Sequence, residues 1–223
     1  SSDLGNMIQN ELLQTLKTEA YTAVVADVLD GLGLQNQILP SRIRPLGNSE
    51  AVVGIARTVL VRDVVLASPH PYEVEFALVD DLREGDVIVA QCGEREAAFW
   101  GELLSTAAAK RGAVGAVVDG FCRDLRQISE LRFPVYARGM SPADSKGRCE
   151  AVARDIPIEI GGVAIHPGDM IFADLDGVVV VPARSIDETA RGALEKVRGE
   201  QTVFNALQSG MSTREAYDKW GIL

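Results

Sequence analysis

Residues 101–124, GELLSTAAAKRGAVGAVVDGFCRD, leave this chain few folds to choose from. Residues 101–111 are Ala- and Leu-rich and predict a helix that stops at Gly112. Residues 114–119, VGAVVD, predict a buried strand, and Asp119, Arg123 and Asp124 follow as a charged strand end. A helix start offers free N–H groups and a positive dipole end to an anion. Arg123 offers a planar fork that matches a carboxylate, and Asp124 offers hard oxygen ligands for a divalent cation. The segment therefore predicts both a helix packed on a sheet and a place for a small oxoacid with a metal.

The flanking sequence extends that pattern. Residues 7–18 and 24–32 carry apolar residues at helical spacing, and residues 40–48 read as a crossing loop punctuated by Pro40, Pro45 and Gly47. Residues 51–62, AVVGIARTVLVR, are β-branched and apolar and predict a strand. A helix over 72–81, a strand over 86–91, a helix over 128–131 and a strand over 133–137 complete an alternating middle. That alternation favours a sheet with parallel pairs. From residue 155 the turns Gly161-Gly162, Pro167-Gly168 and Asp176-Gly177 predict three short, closely connected strands. A long amphipathic helix over 185–208 and a short one over 213–220 close the chain. Nothing marks a linker, so residues 1–223 read as one domain with a helical tail over about 185–223.

Composition removes several classes of function. The formal charge is −10 with no basic run, which argues against a nucleic-acid surface. No apolar stretch is long enough for a membrane helix. The start, SSDLGNMIQNELLQ, lacks a charged segment followed by an apolar core, so no secretory signal is expected; its missing initiator Met predicts a trimmed end. Cys92, Cys122 and Cys149 fit neither a disulfide framework nor a zinc site, and the expected location is the cytoplasm. Cys122, beside the charged strand end, reads as a packed thiol. His70 and His166 sit next to prolines with no partner at metal-ligand spacing, so a nucleophilic triad is poorly supported.

Read singly, each candidate has an ordinary explanation. Glu102 complements a helix dipole, Asp119 or Asp124 caps a turn, and Glu188, Glu195 and Glu200 line a solvated helix face. The glycines match neither GxGxxG nor a P-loop, so no nucleotide is implied.

The order of the segments is more specific. ADVLDGLG, VVGIARTV, EGDVIVAQ, FWGELLSTAAAKRGAVGAVVDGFCRD, FPVYARG, GGVAIHPGDMIFADLDGVVVVP and the tail EKVRGEQTVFNALQSGMSTREAYDKWGIL cover nearly the whole chain. In that order they resemble the RraA-like family (regulator of ribonuclease activity A), and more closely its class II pyruvate aldolases. Those act on 4-hydroxy-4-methyl-2-oxoglutarate or 4-carboxy-4-hydroxy-2-oxoadipate.

The resemblance implies an α/β fold, a β/β/α sandwich with a C-terminal helical extension. It implies a homo-oligomer, a trimer or a dimer of trimers (a hexamer), with the site at a subunit interface. By the same resemblance the backbone of Gly101, Glu102, Leu103 and Leu104 would hold a pyruvoyl carboxylate. Arg123 would contact the oxo or enolate oxygen, and Asp124 would ligate Mg2+ or Mn2+ through a water-rich shell. Glu102 stands near the metal water, and Glu200 looks like an acid contributed by the neighbouring subunit. The extended acidic tail tilts the chain from the ribonuclease regulators toward the enzymes. The FCRD segment and the Ser68–Pro71 loop depart from the family pattern, and the loop bears on the far end of the substrate.

The implied reaction is metal-dependent retro-aldol cleavage of a 4-hydroxy-2-oxoacid to pyruvate and a second oxoacid. Oxaloacetate decarboxylation is expected as a side activity because it passes through the same enolate. The alternatives are a regulator that binds a ribonuclease, or an enzyme of the same scaffold acting on another oxoacid or sugar acid.

Overall fold

A computed structural model of the chain describes residues 2–47 and 50–222, with side chains from Glu11 onward. The chain opens with α1 (Ser2–Glu19) and α2 (Thr22–Gly31). Thr22 donates from both its backbone N–H (2.8 Å) and its hydroxyl (2.6 Å) to Asp174, so a distant carboxylate satisfies the start of α2. The two-residue strand β1 (Arg44–Pro45) lies inside the segment expected as a loop; Asn48 of that segment falls outside the described residues.

The alternating middle is β2 (Val52–Asp63), α3 (Glu73–Asp80), β3 (Asp86–Gln91), β4 (Ala98–Trp100), α4 (Glu102–Lys110), β5 (Gly115–Cys122), α5 (Leu125–Leu131) and β6 (Val135–Met140). β2, β3, β5 and β6 pair in parallel, in that order. The apolar runs of the central strands β3 and β5 are buried on both faces, as parallel strands covered on each side must be. α4 is capped by Arg111, and the next residue is Gly112, whose φ of +91° only glycine adopts without cost.

β7 (Cys149–Arg154), β8 (Ile158–Ile160), β9 (Val163–Ile165), β10 (Met170–Ala173) and β11 (Val178–Val181) follow. The region after residue 155 thus holds four short strands rather than the expected three, because each of its three glycine turns separates two strands. β10 pairs antiparallel with both β2 and β11, β7 returns along the far end of β2, and β8–β9 form a separate hairpin. α6 (Ile186–Gln208) and α7 (Thr213–Trp220) end the chain, α7 opening with a capping box between Ser212 and Glu215.

β2 shows how the layers are built. Its even-numbered Val52 and Ala56 face a core with Ile158, Ile160, Val163 and Ile165 of the hairpin. Its odd-numbered Val53 packs under α1, α2 and α6, while Val59 and Val61 pack under α3 and α4. One strand therefore sits in three cores. The sheet curls into a half-barrel with the hairpin inside and helices outside, the β/β/α layering that the resemblance implied. None of the helices, searched over the described residues, is long and apolar enough to cross a membrane.

Candidate active site

β5 runs past the expected strand end. Pairing with β4 and β6 continues through Phe121 and Cys122, so Asp119 lies inside the strand. There it pairs with Arg42 (3.1 Å) and Arg138 (3.3 Å), in an ionic cluster that lines no part of the cleft described next. The expectation that Asp119 joins Arg123 and Asp124 is corrected accordingly.

The strand ends at Cys122, and the next residue, Arg123, donates its N–H to the Trp100 carbonyl at 3.0 Å. Asp124 then takes a left-handed conformation (φ 61°, ψ 33°), which Asp tolerates better than most residues, and turns the chain into α5. Across from it, Gly101 starts α4 with no side-chain cap, leaving the first-turn amides to other partners. The Glu102 N–H donates to Asp124 Oδ2 at 3.2 Å. Gly101 makes this approach possible: a Cβ there would lie 2.8 Å from Asp124 Oδ2 and 3.3 Å from Arg123 Cγ. Beneath the turn, the buried Trp100 indole donates to Ser105 Oγ (2.8 Å), which donates to the Gly101 carbonyl (2.9 Å).

These residues open onto a cleft of about 410 Å³. Gly101, Glu102, Leu103, Leu104, Arg123 and Asp124 all line it, so the structure brings those six candidates together. Phe76, Phe99, Trp100 and Leu104 supply apolar wall, and Tyr72, Glu75, Asp144 and Ser145 supply the polar remainder.

Sequence reasoning missed those last four. Asp144 accepts from Arg123 Nη1 at 2.9 Å and from the Tyr72 hydroxyl at 3.4 Å, so it holds the guanidinium on the side away from Asp124, whose Oδ2 lies 3.5 Å from Arg123 Nε. Burial, then the Asp144 charge, pushes the Tyr72 hydroxyl above its usual pKa. Glu75 is only 6% exposed; burial first and Asp144 second push its carboxyl up to about 8. One sequence signal could have found it. Glu75 stands three and four residues before Leu78 and Val79, on the apolar stripe of α3 rather than its solvent face.

Cys122 is fully buried, and burial pushes its thiol up to about 12, so it is a packed group. Glu200 lies elsewhere within the chain. It accepts from the Tyr21 hydroxyl, pairs with Lys196 at 3.6 Å and lines a separate groove with Phe204 and Leu207.

The donor set limits what cation could bind. Among the described residues no group of three or more His, Cys, Asp or Glu side chains is placed to hold a metal. Asp124, with Glu102 beside it, fits a hard divalent ion that keeps most of its shell as water and ligand oxygen, as Mg2+ characteristically does. The chemistry on offer is an anion seat at a helix start, a guanidinium and one carboxylate for a cation, inside a partly apolar cleft.

Comparison with known proteins agrees with this architecture. The family model described as RraA-like, Aldolase/RraA, matches residues 22–180. The chain is 36% identical over 88% of its length to a Halalkalibacterium halodurans protein named "Putative 4-hydroxy-4-methyl-2-oxoglutarate aldolase", covering 89% of that protein. It is 28% identical over 96% of its length to protein DlpA of Legionella pneumophila, of which it spans 35%, about a third. Among solved structures it resembles Streptomyces coelicolor RraAS2, titled an unusual member of the RNase ES inhibitor RraA protein family. There the TM-score is 0.75 and the identity 30%, with 86% of this chain and 94% of that one covered. The chain belongs to the RraA-like family.

Proposed function

From that membership we propose that the chain is a class II pyruvate aldolase, a carbon-carbon lyase that cleaves a 4-hydroxy-2-oxoacid such as 4-hydroxy-4-methyl-2-oxoglutarate to pyruvate and a second oxoacid. One observation carries the reading: the α4 amides, Arg123 and Asp124 converge on one cleft, with the Glu102 N–H 3.2 Å from Asp124 Oδ2. The name of the H. halodurans relative supports it.

The substrate's pyruvoyl carboxylate sits at the backbone of residues 101–104, where helix-start amides and the dipole favour an anion. Asp124 would hold a divalent cation, Mg2+ or Mn2+, which would supply Lewis-acid charge to stabilise the enolate. Arg123 places its fork at the 2-oxo oxygen, and that contact strengthens as the oxygen gains charge in the enolate. Glu102, or Glu200 of a neighbouring subunit, holds the water that accepts the C4 hydroxyl proton. Glu200 then requires an assembly, a trimer or a dimer of trimers, with the cleft at a subunit interface. Oxaloacetate decarboxylation follows as a side activity, since loss of CO2 leaves the same enolate.

Pyruvate release from 4-hydroxy-4-methyl-2-oxoglutarate and from oxaloacetate, with Mg2+ and with EDTA, tests the reading. Turnover is expected to need metal, Asp124 and Arg123. Full activity in EDTA or in Asp124→Asn overturns the metal role, and full activity in Arg123→Ala overturns the enolate contact.

The likeness to RraAS2 favours a second reading, a regulator that docks on a ribonuclease. Capture of a ribonuclease by a protein lacking pyruvate-releasing activity would select it.

A further inference from the structure

One group in the cleft wall is unused by this mechanism. Glu75 is almost wholly buried in the cleft wall, which it lines together with Phe76 of α3 and with Asp144 and Ser145. Among the described residues no cation forms a salt bridge with it, whereas Asp144 in the same wall is held by both Arg123 and Tyr72. A retro-aldol reaction needs two proton transfers, and the carboxylates around Asp124 account for only the first.

We propose that Glu75 is the acid that returns a proton to C3 of the pyruvate enolate. The proposal rests on the retro-aldol reading. In the first half the C4 hydroxyl proton leaves to the held water, the C3–C4 bond breaks, C4 becomes the carbonyl of the second oxoacid and the electron pair passes into the enolate. In the second half the Glu75 O–H proton forms a C3–H bond and the 2-oxo group re-forms. Glu75 is left as a carboxylate, which takes a proton from water once product leaves.

The surroundings suit a proton donor. Glu75 faces Asp144 from the β6–β7 loop, Tyr72 from the segment before α3 and Cys149 from β7. Asp63 at the end of β2 bears on the same Cys149, and Arg123, Asp124 and Glu102 share the cleft. The charge that bears on Glu75 is the anionic Asp144, whose own cation, Arg123, is already engaged. Burial and that like charge keep the proton on Glu75 up to about pH 8. An acid with a pKa near working pH both gives and regains a proton readily.

The test reads both directions of the proton step. In D2O with Mg2+, the wild-type protein should exchange the methyl protons of pyruvate, followed by proton NMR. Exchange starts with Glu75 as a carboxylate, so it should rise with pH through about 8. Retro-aldol turnover needs the acid form, so it should fall over the same range. Glu75→Gln should lower exchange by about 100-fold or more and abolish both limbs. Exchange retained in Glu75→Gln with both limbs in place overturns the proposal alone. A wild-type protein that neither cleaves a 4-hydroxy-2-oxoacid nor exchanges pyruvate overturns the retro-aldol reading and this proposal with it. Should Glu75→Gln fail to fold, a carbon NMR titration of wild-type protein labelled at Glu carboxyls decides. One carboxyl protonated at neutral pH and titrating with the two limbs supports the proposal, and every carboxyl ionised at neutral pH overturns it.

Discussion

The Asp124 carboxylate lies 2.8 Å from the point that a Cβ on Gly101 would occupy, and the same oxygen accepts the Glu102 N–H at 3.2 Å. Gly101 has an extended backbone (φ −160°, ψ −170°), so alanine there brings no backbone strain. Its methyl would instead push the Asp124 carboxylate off the Glu102 amide. Gly101→Ala is therefore expected to fold with stability within about 1 kcal/mol of wild type. A shift of about 1 Å in a positioned group is expected to lower kcat/KM by about 100-fold. Urea unfolding alongside steady-state kinetics checks the pair; a variant that loses stability but keeps its rate would contradict it.

The turn beneath Gly101 carries the opposite prediction. Trp100 is 1% exposed and Ser105 fully buried, and the indole N–H finds its acceptor in the Ser105 hydroxyl. Ser105→Ala leaves that N–H buried and unpaired, at a cost of about 1–3 kcal/mol. The urea midpoint should fall with the slope unchanged.

What was legible in the sequence divides along the range of the interactions involved. β3 and α7 fall on their expected residues because apolar run, capping box and glycine stop are local signals. Ala98–Trp100 and Cys149–Arg154 were not legible as strands. The first has three residues, and the second, CEAVAR, mixes polar and apolar positions and pairs with β2 across a bulge. Neither forms without a partner strand brought in from elsewhere. The curl of the sheet depends on Ile55 meeting Met170, a pairing no local pattern encodes. The cleft divides the same way. The backbone at 101–104 opens α4 after β4, and Arg123 and Asp124 open α5 after β5, so both belong to successive β–α turns of the one segment 101–124. Tyr72, Glu75 and Asp144 reach them only through the packing of α3 and the loop after β6.

Asp144 ties the two groups together. It sits 2.9 Å from Arg123 Nη1 and raises the pKa of Glu75 as the second cause after burial. Asp144→Asn should release the guanidinium, lowering kcat/KM by about tenfold, the weight of one charge-assisted contact in a half-exposed site. It should also move the alkaline limb of the pH–rate profile below the wild-type position, because the like charge facing Glu75 is gone. A limb that stays in place would separate Asp144 from the titrating group.

The buried Glu75 carboxyl also makes folding stability depend on pH, with a definite sign. Its folded pKa, about 8, lies above the ordinary value of 4.5, so folding favours the protonated form. Below 4.5 both states hold the proton and Glu75 takes nothing from stability. Between the two values the unfolded chain has released its proton while the native state keeps it. Stability therefore falls as pH rises through that window, and the loss is complete above about 8. Each tenfold change in proton affinity between the two states is worth about 1.4 kcal/mol, so the loss is on the order of a few kcal/mol. Glutamine has no proton to lose, so Glu75→Gln escapes this loss. The melting temperature of Glu75→Gln minus that of wild type should be smallest at the acid end of the window and grow steadily to its alkaline end. Scanning calorimetry across that window measures it, and a difference that stays flat would place the Glu75 carboxylate in water rather than in the cleft wall.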